Sequence, residues 1–169
     1  MNLPDALRRL STIAAALILS SCATRAPHAN IIAPLTAQVC QGDTFHANVT
    51  STDVRMSRAA CETFGVRIDR DVEAMALPPA GAPRHYHAEV KITRYSGGNF
   101  FASSLLPGAG QIRMEGTVTL YQAARRMPVG EFTLSKHFIP VGLSAAFVKD
   151  YTISDAFSKA VAKTLCNVR

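Results

Sequence analysis

Three stretches of strict two-residue alternation set what this chain can fold into. In the first, Tyr86, Ala88, Val90 and Ile92 alternate with His85, His87, Glu89, Lys91 and Thr93. In the second, Ile112, Met114, Gly116, Val118 and Leu120 alternate with Arg113, Glu115, Thr117, Thr119 and Tyr121. In the third, Phe132, Leu134 and Phe138 alternate with Glu131, Thr133, Ser135 and His137. Successive side chains of a strand point to opposite faces, so each stretch has one apolar and one wet face. The connections are short or moderate, which predicts an antiparallel meander.

The apolar face of such a sheet needs a cover. Val54, Ser57, Cys61, Phe64, Ile68, Val72 and Met75 recur every three or four residues, predicting an amphipathic helix over 52–76. Ser51 or Thr52 is its expected cap, Gly65 its weak point, and the Pro-rich run 77–83 its stop. A second stripe runs through Ile153, Ala156, Phe157, Ala160, Val161, Thr164, Leu165 and Val168, with Ser144 or Ser154 as its starting residue. Ahead of both helices, Ile31–Leu35 and Ala37–Val39 read as one strand, which Pro34 confines to an edge or a strand start. Gln41-Gly42-Asp43 reads as a turn and Thr44–Val49 as a further short strand. The expected fold class is α+β: a two-layer sandwich whose antiparallel sheet is a three-strand meander plus an N-terminal strand, with two helices on one face.

The N-terminus is built differently. Arg8 and Arg9 precede the apolar run Ile13–Leu19, and small residues then lead to a cysteine in Leu19-Ser20-Ser21-Cys22. The apolar run is too short to span a bilayer, which takes about 20 residues. The order of charge, apolar run and Leu-Ser-Ser-Cys resembles the lipobox of bacterial lipoproteins. That resemblance implies a signal peptide over 1–21, cleavage before Cys22, a diacylglyceryl group on its thiol and acylation of the freed amine. With Ala23 rather than Asp after the cysteine, it also implies delivery to the outer membrane. Residues 22–30 then form a short tether and 31–169 a single domain.

Losing Arg8, Arg9 and Asp5 lowers the formal net charge of +6 to +5. A basic balance suits anionic lipid, lipopolysaccharide or peptidoglycan at an envelope. The basic residues are scattered, with only Arg125 and Arg126 adjacent, so nucleic acid is not an expected partner. The domain's cysteines are Cys40, Cys61 and Cys166, and in an oxidising compartment exposed thiols pair. Cys61 centres the first apolar stripe and is expected to be buried. Cys166 projects to the polar side of the last helix and Cys40 lies beside a turn, making Cys40–Cys166 the first choice of disulfide and Cys40–Cys61 the second.

For chemistry, His85, His87 and Glu89 share the wet face of one strand, and His137 falls on the same face two strands along. Imidazoles at i and i+2 can ligate zinc or copper if a third ligand converges, but no spacing here matches a metal motif, so neither metal nor cofactor is expected. No Gly-x-Ser-x-Gly, His-Glu-x-x-His or phosphate-cradling motif occurs. The unusual stretch is the insert 96–110, far longer than a hairpin needs and carrying Phe100, Phe101, Leu105 and Leu106 between Arg94 and Arg113. Those four apolar residues either close the core under the sheet edge or form a contact surface.

The element order over 85–166, with its Gly-rich insert, resembles the small α/β domains of several uncharacterised outer-membrane lipoprotein families and of accessory lipoproteins that assist envelope machines. The resemblance transfers no functional residue. The expectation is a non-catalytic accessory lipoprotein, anchored to the membrane by its N-terminal lipid, that meets an envelope protein, anionic lipid or peptidoglycan through 96–110. The alternative is a lipid-anchored enzyme or metal-binding protein using His85, His87 and Glu89.

Overall fold

Strands and helices fall where the two periodicities put them, with three shifts. The computed structural model describes residues 27–79, 81–96, 112–123, 127–138 and 150–166. In chain order the elements are β1 (His28–Ala33), β2 (Thr44–Ser51), α1 (Arg58–Met75), β3 (His85–Ser96), β4 (Ile112–Gln122), β5 (Pro128–Phe138) and α2 (Asp150–Leu165). β1 thus begins inside the stretch expected to be tether, and α2 ends short of Val168.

The third shift is at the start of α1, six residues later than the stripe suggests. Residues 53–56 form a turn, closed by Met56 N–H donating to Asp53 C=O at 3.1 Å. The Asp53 carboxylate takes Arg55 Nη2 at 2.6 Å, Arg55 Nε at 2.8 Å and the Tyr95 amide at 2.8 Å. Those bonds fix a non-helical loop, and Ser57 caps the helix instead, its hydroxyl accepting from Ala60 N–H at 3.2 Å. Val54, counted in the stripe, stands in solvent.

The strand order is β1-β5-β4-β3-β2 in one five-stranded sheet. β1 with β5, β5 with β4, and β4 with β3 pair antiparallel, but β2 pairs parallel to β3, from Thr44↔His85 to Ser51↔Ile92. The expected antiparallel sheet of a meander plus one strand is therefore corrected to a mixed sheet of five. The cause is α1: a helix long enough to carry the chain back along the sheet returns it in the direction it came from.

One face of this sheet is core. Ile92, Met114, Val118, Leu120, Phe132 and Leu134 meet Phe64, Ile68 and Val72 of α1 and Phe157, Val161 and Leu165 of α2, all at most 3% exposed. The Phe64 and Phe157 rings meet across the helix pair at 5.9 Å, tilted by 58°. Burying a side chain such as Phe157 contributes roughly 2–3 kcal/mol. Polar ties also cross between the helices: buried Ser158 donates to Asp71 at 2.5 Å, and Arg67 to Ser154. Gly65 sets how closely α1 approaches: a Cβ there would lie 2.8 Å from the Ala47 carbonyl oxygen. At Gly116 the close approach is within the sheet: a Cβ there would lie 2.9 Å from the Lys91 carbonyl oxygen.

Candidate functional site

Both helices lie on one side, so among the described residues nothing covers the other face of the sheet, the bare face. Pairing registers place its rows. Asn48, Glu89, Thr119 and Glu131 form one, and Thr50, Lys91, Thr117, Thr133 and Asn30 the next. All five histidines of the chain stand on this face. His46 pairs with His87 across β2–β3, His85 with Thr44, His137 with Arg113 and His28 with Ser135. The His87 ring stacks on Tyr121 at 4.8 Å and 7°, while His46 Nδ1 lies 3.1 Å from Asp69 Oδ2. Asp69 also takes the outward amide of Ala47 at 2.7 Å, closing off part of the β2 edge.

These registers separate the residues of the candidate metal set. His137 is level with Arg113 and Ser96, whereas His87 is level with Tyr121. His87 and Ser96 lie about 30 Å apart along β3 at the rise of a strand, so His137 cannot converge on His85 and His87. Among the described residues, no group of three or more His, Cys, Asp or Glu side chains is placed to hold a metal ion.

At the Ser96 end the sheet changes character. A bulge between Ile92 and Arg94 shifts the β3 register, so Arg94 pairs with Glu115 on the bare face while Tyr95 pairs with Met114 on the core side. Glu115 Oε1 lies between Arg94 Nη1 at 3.8 Å and His137 Nε2 at 3.6 Å. On the core side, Tyr95 and Met114 border an open cavity of about 490 Å³ with Met56 and Phe64. Arg55 and Arg67 bring charge to it: Arg55 is held by Asp53, and Arg67 Nη1 donates to Ser154 Oγ at 3.0 Å. Tyr95 and Met114 lie one and two residues inside the strand ends, Ser96 and Ile112, that border the connection 97–111.

Phe100, Phe101, Leu105 and Leu106 lie outside the described residues, as does Cys22; their flanks Arg94 and Arg113 are placed at the cavity end of the bare face. Nothing in the sequence points to the Arg55–Arg67 cavity. Its lining comes from the turn before α1, α1 itself, β3, β4 and α2, and no local pattern links those pieces.

Cys40, Cys61 and Cys166 are all buried free thiols, so the expected Cys40–Cys166 bridge is not present in the structure. Cys61 is buried as expected. Cys166 is corrected from the polar side of the helix to fully buried: its amide donates to Ala162 C=O at 2.9 Å, an α-helical bond, and the four-residue spacing from buried Ser158 and Ala162 puts it on the inner face. Burial pushes the Cys61 thiol up, and does the same to Cys166, with the neighbouring Cys40 adding to it, to about 11.

The architecture is that of a small α+β domain: a five-stranded mixed sheet with two helices on one face. No family model matches the sequence, and no curated protein does. Among solved structures, the fold is similar to PelC from Paraburkholderia phytofirmans. A point-variant PelC dodecamer matches at 9% identity, covering 84% of this chain and 100% of that chain, with a TM-score of 0.57. A second PelC dodecamer matches at 12% identity, covering 82% and 96%, with a TM-score of 0.54. A Xanthomonas campestris protein of the DUF330 family matches at 10% identity, covering 84% and 89%, with a TM-score of 0.48. At these identities the likeness to PelC is one of fold.

Proposed function

We propose that this chain is a non-catalytic lipoprotein of the bacterial outer membrane, and that it binds an envelope protein through the end of the sheet bearing residues 97–111. The observation that carries this reading is the cavity at that end, bordered by Tyr95 and Met114 near the strand ends that flank the connection. The sequence adds Phe100, Phe101, Leu105 and Leu106 to the same end, apolar anchors of the kind that dominate contact energies. Arg94 and Arg113, at the cavity end of the bare face, would form its polar rim. Such anchors favour a protein partner over anionic lipid or peptidoglycan.

The bare face supports binding over catalysis. His85, His87 and Glu89 are spread along a flat strand, whereas acid–base chemistry needs groups that close on one substrate atom. No helix among the described residues is long and apolar enough to cross a membrane, which leaves the lipid on Cys22 as the proposed anchor.

Photo-crosslinking in intact cells tests both halves. A crosslinker at position 101 should capture a protein, while one at Val66, exposed on the outer side of α1, should not. Intact mass of the membrane-extracted protein should show residues 22–169 with a diacylglyceryl group. Absence of any adduct at 101, together with unfolding of the Phe100→Ser/Phe101→Ser variant, would make the insert core and end the binding claim.

A further inference from the structure

We propose that Cys40 and Cys166, free thiols in the structure, are joined on oxidation into a disulfide, a covalent clasp between the segment before β2 and the end of α2. The proposal takes only the oxidising compartment from the reading above.

The placement rests on backbone contacts. Val39 N–H donates to Leu165 C=O at 3.3 Å, so each cysteine is one residue beyond a direct hydrogen bond between their segments. Both are buried, Cys40 at 6% and Cys166 at 0% exposure. Val72 touches both sites: its carbonyl accepts from Cys166 Sγ at 3.8 Å, and it lines the same cavity as Cys40. The influence of Cys40 on the Cys166 thiol also requires the two to be close.

The third thiol is excluded by distance. Cys40 bridges to Leu77, just past the C-terminal end of α1, while Cys61 is in the first turn of that helix. The two positions are about 24 Å apart along the helix axis. A disulfide needs Cα atoms within about 7 Å. Cys40–Cys61, the second choice from sequence, is out of reach.

Cys40 is the entry point. Its neighbour Arg84, with Nη2 3.7 Å from Cys40 Sγ, keeps a side chain 35% exposed, whereas Cys166 has no exposed surface. With glutathione disulfide as oxidant, the Cys40 thiolate attacks one sulfur and releases one glutathione thiolate. Cys166, its proton lost to water, then attacks the Cys40 sulfur of the mixed disulfide and releases the second. Two protein thiols lose two electrons, and one disulfide is reduced to two thiols. In the cell, an envelope thiol–disulfide oxidoreductase would supply the same oxidant chemistry.

The test uses the full chain carrying Cys22→Ser, so that no fourth thiol competes. It is oxidised with glutathione disulfide, alkylated without reductant, digested and mapped. A linked Cys40–Cys166 peptide is expected, with Cys61 alkylated only after denaturation. Oxidation should raise the Tm by roughly 10 °C, a shift that disappears in Cys40→Ser. Recovery of Cys40 and Cys166 both alkylated, or of Cys61 in the linked peptide, would overturn the proposal. Mapping needs no cysteine substitution within the domain, so it decides the pairing even if Cys40→Ser misfolds. A pair linked in vitro but reduced in protein taken from cells would support the clasp and count against the oxidising compartment.

Discussion

Asp43 ties two pieces of chain together with one carboxylate. It takes the Cys40 amide at 2.9 Å, the Arg84 amide at 2.8 Å and Arg84 Nη2 at 3.2 Å. Burial pushes its carboxyl up, but the two amides and the Arg84 guanidinium outweigh that and hold it below the usual carboxylate range. A carboxyl lowered on folding stabilises fully above its unfolded pKa of about 3.9 and loses that contribution as pH falls through its folded value. Asp43→Asn should therefore lower stability by about 1–2 kcal/mol at pH 7, and urea midpoints should show the gap closing at pH 3 and below. An equal gap at both pH values would refute the assignment. The turn at Gln41-Gly42-Asp43 is legible in the sequence, because short-range turn chemistry shows in adjacent residues. Its clamp on Arg84 is not, since nothing local records a partner so far along the chain. The same holds for Asp53, which takes the Tyr95 amide and so pulls Val54 out of an apparently helical stripe.

For whole elements, alternation places β3, β4 and β5 within a few residues, while pairing direction stays hidden. The residues of β2 read as a strand, but only the geometry of α1 shows that the return must be parallel. The bulge in β3 is equally silent: Arg94, on the core side by strict alternation, pairs with Glu115 on the bare face. By propensity Gly65 is a weak point of α1, and the structure reverses its meaning. In an exposed helix, Gly→Ala stabilises by about 1 kcal/mol. Here the added carbon would sit 2.8 Å from a backbone oxygen of β2, which cannot rotate away. Gly65→Ala should destabilise by about 1–3 kcal/mol, read from the urea midpoint; a stabilised variant would show that α1 packs less closely on β2.

Across the whole molecule, the two-layer plan is visible in the sequence because two stripes and three alternating strands need each other's apolar faces. The cavity is not, since it forms where separate elements meet, and the anchors in 97–111 are legible only as composition. The plan makes α2 indispensable: Phe157, Val161 and Leu165 complete a core that Phe132 and Leu134 open from below. A chain ended before Asp150 should lose cooperative thermal unfolding and bind a dye specific for exposed apolar surface; a sharp transition without α2 would contradict this. The sheet order has a consequence in time as well. Among the described residues β1 is the first strand made and pairs only with β5, Ile31 lying opposite Phe132, and α2 closes the core over both. A ribosome releases the N-terminal strand long before its partner exists, so the growing chain cannot settle into its final form until synthesis is nearly complete. A nascent chain of this design stays open and threadable for nearly the whole of its translation.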